Sequence, residues 1–290
     1  MNTNIEKEFS ETYQKCLELG IAQQIEYDKF YIYSIITHST AIEGSTITEE
    51  ENSKIFENGV VIPSRSLMEH FMNTDLKRAY DKCFDLAKEE PIINEDFLRN
   101  LSAIVMKNTG SEYYTATGTV DSSAGDFRRF NVRAGSNGPS YMGYEKVMPK
   151  LREFCEWLNK SRKLIGKEDV LRGYRLSFDA HYNLVTIHPW ADGNGRMSRL
   201  LMNFLQIERN LIPSKILKDQ KEEYIEALKM TRETGDLNVF RNFMFKIHTE
   251  NLKEEVKKNL QVAEKSMEQK SEMTIFEEPE EKEKSRKLRR

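Results

Sequence analysis

Thirteen consecutive residues, Ile187 to Arg199, place more charge and turn chemistry together than the rest of this chain: IHPWADGNGRMSR. Pro189 disfavours helical dihedrals in the residue before it, so the preceding helix should end at Ile187 or His188. Taken alone, His188 is most simply a residue that caps the last helical carbonyls. Its neighbours favour a different role, an imidazole that acts as a general base.

The segment DGNG, which follows His188 closely, would on its own be an ordinary turn, because Gly and Asn tolerate positive φ. Here apolar periodicity resumes at once in RMSRLLMNFLQIE, so the loop opens a helix. Backbone N–H groups and the positive end of the helix dipole bind phosphate at such a position. Arg196 and Arg199 share one face of the first turn, where two cations disfavour the helix unless an anion compensates them. These features predict a polyphosphate ligand.

Asp192 lies beside this predicted anion site. A lone carboxylate would repel bound phosphates unless it held a divalent cation that also contacts them. An imidazole base, a metal carboxylate, an anion-binding loop and two arginines together indicate nucleotide chemistry. The chain contains no GxxxxGK[ST] phosphate-binding loop, so the chemistry does not depend on that motif.

The composition of the 290 residues excludes several classes of protein. A net charge of −3 and a pI of about 6.1 give no basic footprint for nucleic acid. The N-terminus has no apolar signal core, and no run approaches the roughly 20 apolar residues of a membrane span. The three cysteines are far apart, which favours buried thiols in a reducing compartment. We expect a cytoplasmic protein with no nucleic-acid or membrane partner.

Helical periodicity dominates the rest of the chain, and the fold class that it predicts is all-α with one small β-hairpin. The segment at 111–141 is rich in Gly, Ser and Thr and reads as a hairpin or flap. A helix should restart within STITEEEN, with either Thr46 paired with Glu49 in a capping box or Thr48 as its first cap. Other helices are predicted near residues 5–17, 25–42, 67–84, 97–105, 144–161, 168–187, 195–210, 219–233 and 236–262.

HPWADGNGRMSR closely resembles the signature of Fic-domain proteins: histidine, proline, an aromatic residue, any residue, Asp or Glu, GNGR, two residues and Arg. Trp190 stands where the family usually has Phe, and either side chain can anchor the loop. The resemblance extends over roughly residues 100–250. AGDFRRFNVRAG resembles the flap of the family, EFCEWLN the helix after it, and YIEALKMTRETGDLNVF the helical segment after the motif.

The resemblance implies a Fic-like helical bundle that transfers AMP from ATP to a Ser, Thr or Tyr hydroxyl of a target protein and releases pyrophosphate. His188 would be the general base, and Asp192 would hold Mg²⁺ or Mn²⁺ on the phosphates. The residues implied to bind the nucleotide phosphates are Gly193, Asn194 and Gly195 through their backbone, Arg196, and Arg199 at the γ-phosphate.

Two further assignments follow from the resemblance with alternatives beside them. A flap segment, Val132, Arg133, Ala134 and Gly135, would bind the backbone of the target as an added strand, although an ordinary surface hairpin fits the sequence equally well. Tyr224 would line the adenine pocket, or it would belong to the core with Leu228 one helical turn later.

STAIEG, from Ser39 to Gly44, matches the inhibitory pattern of the family: Ser or Thr, three residues, Glu, then Gly or Asn. In members that carry this pattern before the catalytic core, the glutamate pairs with the second arginine of the motif. The resemblance therefore implies that Glu43 pairs with Arg199 and inhibits the enzyme. Without the resemblance, Glu43 is only a carboxylate at a helix end.

The chain is thus divided into a helical region, 1–95, with the inhibitory segment 39–44, and a catalytic core, 96–250, with the flap near 120–140 and the motif at 188–199. Residues 251–290 are expected to form a helix end and a charged, disordered tail.

An autoinhibited protein adenylyltransferase is the leading interpretation. The intact Gly193 argues against kinase-like transfer, because that branch of the family carries a bulkier residue there. Removal of AMP from a modified protein stays open as an alternative. A non-enzymatic nucleotide sensor would be favoured by loss of His188 or Asp192, and both are present. The sequence leaves the target and the oligomeric state open, a homodimer included.

Overall fold

The structure, a computed structural model, describes residues 3–21, 25–133, 138 and 140–287. In these ranges ten α-helices accompany a single two-stranded antiparallel sheet, so the predicted fold class is confirmed. The elements in chain order are α1 (Thr3–Glu18), α2 (Ile25–Ile42), α3 (Glu49–Asn58), α4 (Leu67–Glu89), α5 (Glu95–Val105), β1 (Glu112–Thr115), β2 (Gly118–Asp121), α6 (Tyr144–Leu164), α7 (Val170–Ile187), α8 (Asn194–Ile207), α9 (Lys221–Thr234) and α10 (Leu237–Lys287).

Helix α8, which follows the signature loop, is the centre of the packing. It lies along α7 on one side and α4 on the other, and α2 and α5 also contact it. Its side chains from Met197 to Leu205 are buried, which agrees with the apolar periodicity of that segment. A helix enclosed in this way fixes the direction of its N-terminus, and therefore the position of the loop before it.

The start of α3 decides between the two caps that the sequence allowed. The Thr48 hydroxyl accepts a hydrogen bond from the Glu51 N–H, and Glu51 accepts one from the Thr48 N–H, a complete capping box. The alternative box, Thr46 with Glu49, is wrong. Thr46 instead donates both its N–H and its hydroxyl to Glu69, the capping glutamate of α4.

The hairpin of β1 and β2 lies upstream of most of the segment predicted as the flap. Its register pairs Glu112 with Asp121 and Thr115 with Gly118, around a turn at 116–117. Tyr, Thr and Val supply the β-forming residues, and Gly118 has the positive φ that the turn needs. In the flap segment the described residues form one isolated bridge, between Arg133 and Ser140.

One hydrophobic cluster includes Phe9 of α1, Leu200 of α8 and Leu252 of α10, so the three predicted regions share a core and their division stays a prediction. The backbone of α10 is helical through Lys287, whereas a disordered tail is expected from composition. The difference is consistent with the high helix propensity of the Glu, Lys and Gln residues there. The three cysteines are free and buried, as predicted. Over the described residues, no helix has the length and apolarity that crossing a membrane requires.

Candidate active site

His188 stands at the end of α7 with a left-handed backbone, φ 53° and ψ 61°, and its N–H still donates to Leu184. The helix therefore ends where Pro189 predicts. A non-glycine residue in this conformation costs roughly 1–3 kcal/mol and needs support from its surroundings. The support comes from Arg128, whose Nε donates to the His188 carbonyl at 2.7 Å and whose N–H donates to the Pro189 carbonyl.

The imidazole of His188 has one nitrogen engaged and one available. Nδ1 lies 3.2 Å from the Val185 carbonyl, which can only accept, so Nδ1 carries the proton and Nε2 keeps its lone pair. The ring stacks on Tyr141 with centroids 3.6 Å apart. Burial lowers the pKa of His188 to about 4, despite the opposing hydrogen bond to Val185. At neutral pH the imidazole is uncharged and can accept a proton at Nε2.

The side chain of Asn194 closes the signature loop. It accepts from the Trp190 N–H at 3.0 Å and donates to the Trp190 carbonyl at 2.9 Å. The Trp190 ring is fully buried, and its Nε1 donates to the Gly125 carbonyl. Trp190 is therefore the apolar anchor that the sequence predicts. The amide of Asn194 is committed to the loop, which leaves its backbone for the implied phosphate contact.

Two glycines bring other groups close to the start of α8. Gly193 is its N-terminal cap with φ 79°, and a Cβ there would lie 2.5 Å from Met106 Sδ. A Cβ on Gly195 would lie 2.4 Å from Glu43 Oε1. The Glu43 carboxylate therefore sits directly over the loop that should hold phosphate.

The guanidinium of Arg196 is buried with few acceptors. Its two terminal nitrogens contact Met106 Sδ at 3.2 Å and Thr109 Oγ1 at 3.4 Å, and Nε has no hydrogen-bond partner among the described residues. Asp192 is 3.8 Å away. A buried cation normally has its donors satisfied, so the spare donors of Arg196 indicate room for an anionic ligand.

Arg199, in contrast, donates three hydrogen bonds to the N-terminal region of the chain. Its Nε donates to the Ser39 hydroxyl at 2.8 Å, and Nη2 donates to the Ser39 carbonyl at 2.9 Å and to Glu43 Oε1 at 2.6 Å. The pairing implied by the STAIEG pattern is thus present, with Ser39 as a second partner. The pair is buried on one side only, since the side chain of Arg199 is 4% exposed and that of Glu43 33%.

The ionisation of this pair follows from opposing effects. Burial raises the pKa of Glu43, but the charge and hydrogen bond of Arg199, with a smaller contribution from Arg196, outweigh it and leave the pKa below its ordinary value. Burial lowers the pKa of Arg199, and Glu43 more than compensates. Both groups are charged at neutral pH.

A buried polar network fixes the end of α2 that carries Glu43. Asn73 of α4 accepts at Oδ1 from Thr40 and from Asn52, each at 2.8 Å, and donates to Ser45 at 3.1 Å. Thr40, three residues before Glu43, and Ser45, two residues after it, are therefore both tied to α4. Sequence reasoning missed Asn52 and Asn73, because a single polar residue in a helix gives no signal of a long-range partner.

The Asp192 carboxylate lies at the open edge of the loop, 60% exposed, and accepts from the Gly193 N–H at 2.6 Å. The described residues contain no group of three or more His, Cys, Asp or Glu that could hold a metal ion by themselves. Mg²⁺ at nucleotide sites commonly takes one or two carboxylates and completes its shell with substrate phosphates and water. Asp192 fits a metal ion held in that way, beside the anion loop.

The flap residues are brought near the histidine only in part. The Val132 carbonyl accepts from the Tyr141 N–H at 3.1 Å, and Arg133 bridges Ser140. Ala134 and Gly135 lie outside the described residues.

Tyr224 is 2% exposed, and its hydroxyl lies 3.1 Å from His181 Nε2. Its ring lies near the rings of Phe240 and Phe243. The structure therefore places Tyr224 in the core, next to Arg199, which favours the second of its two interpretations over an open adenine pocket.

Arg128 is a site residue that the sequence did not reveal. It is 2% exposed and donates to the Phe130 carbonyl at 3.0 Å and the Met142 carbonyl at 2.7 Å, as well as to His188. In DFRRF two adjacent arginines look alike, and only the fold distinguishes the buried one from Arg129, which is exposed.

Comparison with known proteins agrees with this geometry. Residues 92–206 match the model of the Fic/DOC family. Over 225 residues the chain is 29% identical to protein adenylyltransferase fic-1 of Caenorhabditis elegans, covering 77% of this chain and 40% of that protein. Over 212 residues it is 33% identical to protein adenylyltransferase Fic of Drosophila willistoni, covering 72% and 38%. The chain spans about two fifths of the length of these curated relatives.

Solved structures share the fold. Fic-1 (aa134–508) from C. elegans superposes with a TM-score of 0.69 at 24% identity, over 90% of this chain and 73% of that one. A Fic-domain signaling protein from Bacteroides thetaiotaomicron gives a TM-score of 0.70 at 20% identity, over 87% and 96%. Residues 92–206, which contain the signature loop, His188 and the flap, are therefore a Fic domain of the Fic/DOC family.

Proposed function

We propose that the protein is an adenylyltransferase that moves AMP from ATP to a Ser, Thr or Tyr hydroxyl of a target protein, and that Glu43 restrains it. The observation that carries the proposal is the position of the His188 imidazole, with Nε2 available, at a loop whose Arg196 has spare donors. The relatives named protein adenylyltransferases support it.

In this reaction Nε2 of His188 takes the proton of the target hydroxyl as its oxygen attacks the α-phosphorus of ATP. The bond from the α-phosphorus to the bridging oxygen breaks, and pyrophosphate leaves. A base with a pKa of about 4 is weak. Bound phosphates add negative charge beside the ring, which raises its pKa towards the working pH.

The loop residues bind and orient the nucleotide. The backbone of Gly193, Asn194 and Gly195 contacts the α- and β-phosphates at the positive end of α8, and Arg196 turns its spare donors to the same oxygens. Asp192 would hold Mg²⁺ or Mn²⁺, which when bound neutralises phosphate charge. The flap segment at Val132 and Arg133, whose inner edge already pairs with Ser140 and Tyr141, would hold the target as an added strand on its other edge.

Glu43 restrains this site in two ways. It pairs with Arg199, the cation that would otherwise bind the γ-phosphate. It also places a carboxylate over Gly195, where its charge would repel a phosphate. The hydrogen bonds that tie α2 to α4 through Asn73 keep the carboxylate there.

Three free, buried cysteines support a reducing compartment such as the cytoplasm as the location of the protein.

The first test follows the label from ATP. With the Glu43→Gly variant, ATP labelled at the α-phosphate should mark protein, and ATP labelled at the γ-phosphate should not. The physical basis is the intact Gly193, whose positive φ and close approach to Met106 Sδ leave the start of α8 without a side chain at this position. Autoradiography of lysate proteins after electrophoresis reads the result, with His188→Ala added as the blank. Label arriving from the γ-position alone would establish phosphoryl transfer instead.

The second test concerns Asp192. Asp192→Ala should remove the Mg²⁺ dependence of ATP affinity, because this is the one carboxylate within the motif. Calorimetric titration with and without Mg²⁺ measures it in the Glu43→Gly background. Asp219→Ala, an exposed aspartate distant from the loop in sequence, is the matched control and should keep the dependence. Unchanged Mg²⁺ dependence in Asp192→Ala would remove the metal assignment.

A further inference from the structure

Tyr141 is a conspicuous contact of His188 that the proposed chemistry does not use. The two rings stack with centroids 3.6 Å apart and planes 15° from parallel. Tyr141 lies just after the flap segment, and its N–H donates to the Val132 carbonyl. The other face of the histidine is not stacked on any ring among the described residues, so Tyr141 and the hydrogen bond from Nδ1 to the Val185 carbonyl together orient the imidazole.

Arg128 fixes the backbone on both sides of this contact. Its three guanidinium nitrogens donate to the carbonyls of Phe130, Met142 and His188. The buried Arg128 side chain thus joins Phe130 and Met142, which flank the flap on either side, to His188. The Tyr141 ring is held in register with His188 because the residue after it, Met142, and His188 itself share this anchor.

We propose that Tyr141 is a positioning residue for His188, which sets the plane of the imidazole and keeps water from one of its faces. This positioning role of Tyr141 rests on the proposed function only in that His188 is taken as the general base. A planar ring packed at stacking distance restricts rotation about the last side-chain bond of the histidine, so that Nε2 points in one direction. The residues at the two ends of the flap and the general base, His188, are then held together.

The stacked Tyr141 ring should also affect the pKa of His188. The charged groups that act on His188 are Arg128 and Arg232, which lower its pKa, and Glu43, which raises it, while burial is the largest effect and lowers it. The guanidinium of Arg232 also lies over the Tyr141 ring, 5.6 Å from its centroid. Removing the ring admits water to the imidazole, so the pKa of His188 should rise towards its ordinary value.

The experiment that does not depend on catalysis is an NMR titration of the histidine ring protons. The chain has five histidines, and the His188→Ala spectrum identifies the signal. Tyr141→Ala should raise the midpoint of His188 by at least about one pH unit, since loss of burial favours the charged form. Tyr141→Phe should restore the parental midpoint because it keeps the ring. Tyr144→Ala, a tyrosine three residues further on whose ring does not stack on His188, is the matched control.

The second readout is kinetic, in the Glu43→Gly background. Tyr141→Ala should lower kcat for AMP transfer by about tenfold and leave the KM for ATP within twofold, because a misdirected base affects the chemical step. The acid limb of the pH–rate profile should move to higher pH together with the NMR midpoint, and Tyr141→Phe should restore both. Thermal unfolding of each variant shows that it is folded.

A folded Tyr141→Ala variant with a parental midpoint and a parental kcat would overturn the inference, and so would equal changes in Tyr144→Ala. If Tyr141→Ala does not fold, Tyr141→Leu, which fills the volume without a flat ring, takes its place. If Glu43→Gly incorporates no α-label at all, the proposed function fails, and the titration still decides whether Tyr141 controls His188.

Discussion

Replacing His188 by alanine is expected to lower the rate of AMP transfer by about 10²–10⁴-fold while ATP binding stays close to parental, since this is the usual contribution of a general base. Among the described residues the imidazole contacts the Val185 carbonyl and the Tyr141 ring, and it has no hydrogen bond to Arg196 or Arg199, the cations of the proposed phosphate site. Its removal therefore takes away the proton acceptor and leaves the phosphate cradle intact.

The backbone of residue 188 should survive this change. The hydrogen bond from the backbone N–H of residue 188 to the Leu184 carbonyl does not involve the side chain of residue 188. Nor does the hydrogen bond that its carbonyl accepts from Arg128. Because alanine disfavours the left-handed conformation, His188→Asn is the better control, since asparagine tolerates it. Initial rates of α-label incorporation, calorimetry with ATP and thermal unfolding, all in the Glu43→Gly background, separate the three effects. Parental transfer by either folded variant would exclude His188 as the base.

The central part of the site could be predicted because it is contiguous in sequence. Pro189, Gly193 and the resumption of apolar periodicity at Arg196 are local signals, and each has a local consequence: a helix end, a turn and a helix start. The structure confirms those elements. Trp190 could likewise be read as an anchor, since a large apolar residue in a turn-rich loop needs burial.

The parts that could not be predicted depend on contacts between distant segments. Arg128 meets His188 across 60 residues, and Asn73 meets Thr40 across 33. Neither side chain differs in kind from other polar side chains near it in the sequence, so neither periodicity nor composition indicates the contact. Tyr224 shows the same limit in reverse, because one aromatic residue on an amphipathic helix fits a pocket wall and a core equally well.

Replacing Glu43 by glycine is expected to raise the rate of protein modification by tens-fold or more. A block of about 2–3 kcal/mol corresponds to roughly 30- to 150-fold in rate, at 1.36 kcal/mol for each factor of ten. In the parent the carboxylate is charged at neutral pH, since its pKa is held below the ordinary value, so we expect the proposed inhibition to persist through the physiological range. Removing one partner of an ion pair usually destabilises a protein when the other charge is left alone. Arg199 keeps Ser39 as a partner, and ATP supplies the missing anion.

Charge and volume can be separated at this position. Glu43→Gln keeps an atom close to the place where a Cβ on Gly195 would be, but it carries no charge. It should relieve the repulsion of phosphate and keep the obstruction, so its rate should fall between those of the parent and Glu43→Gly. Glu18→Gly is the matched control, because Glu18 is also a carboxylate at a helix end and its side chain contacts Gln14 on its own helix.

The double variant tests whether the gain acts through the arginine. Adding Arg199→Ala to Glu43→Gly should erase most of the acceleration, because the freed guanidinium is the group that we propose receives the γ-phosphate. Initial rates of α-label incorporation into the chain itself and into lysate proteins, for the parent, both single variants and the double variant, give the coupling between the two residues. If Glu43→Gly and Glu18→Gly both modify protein at the rate of the parent, the ion pair of Glu43 with Arg199 is a structural contact and the restraint lies elsewhere. If the double variant keeps the full gain, the carboxylate inhibits through its position over Gly195 and not through its hold on Arg199.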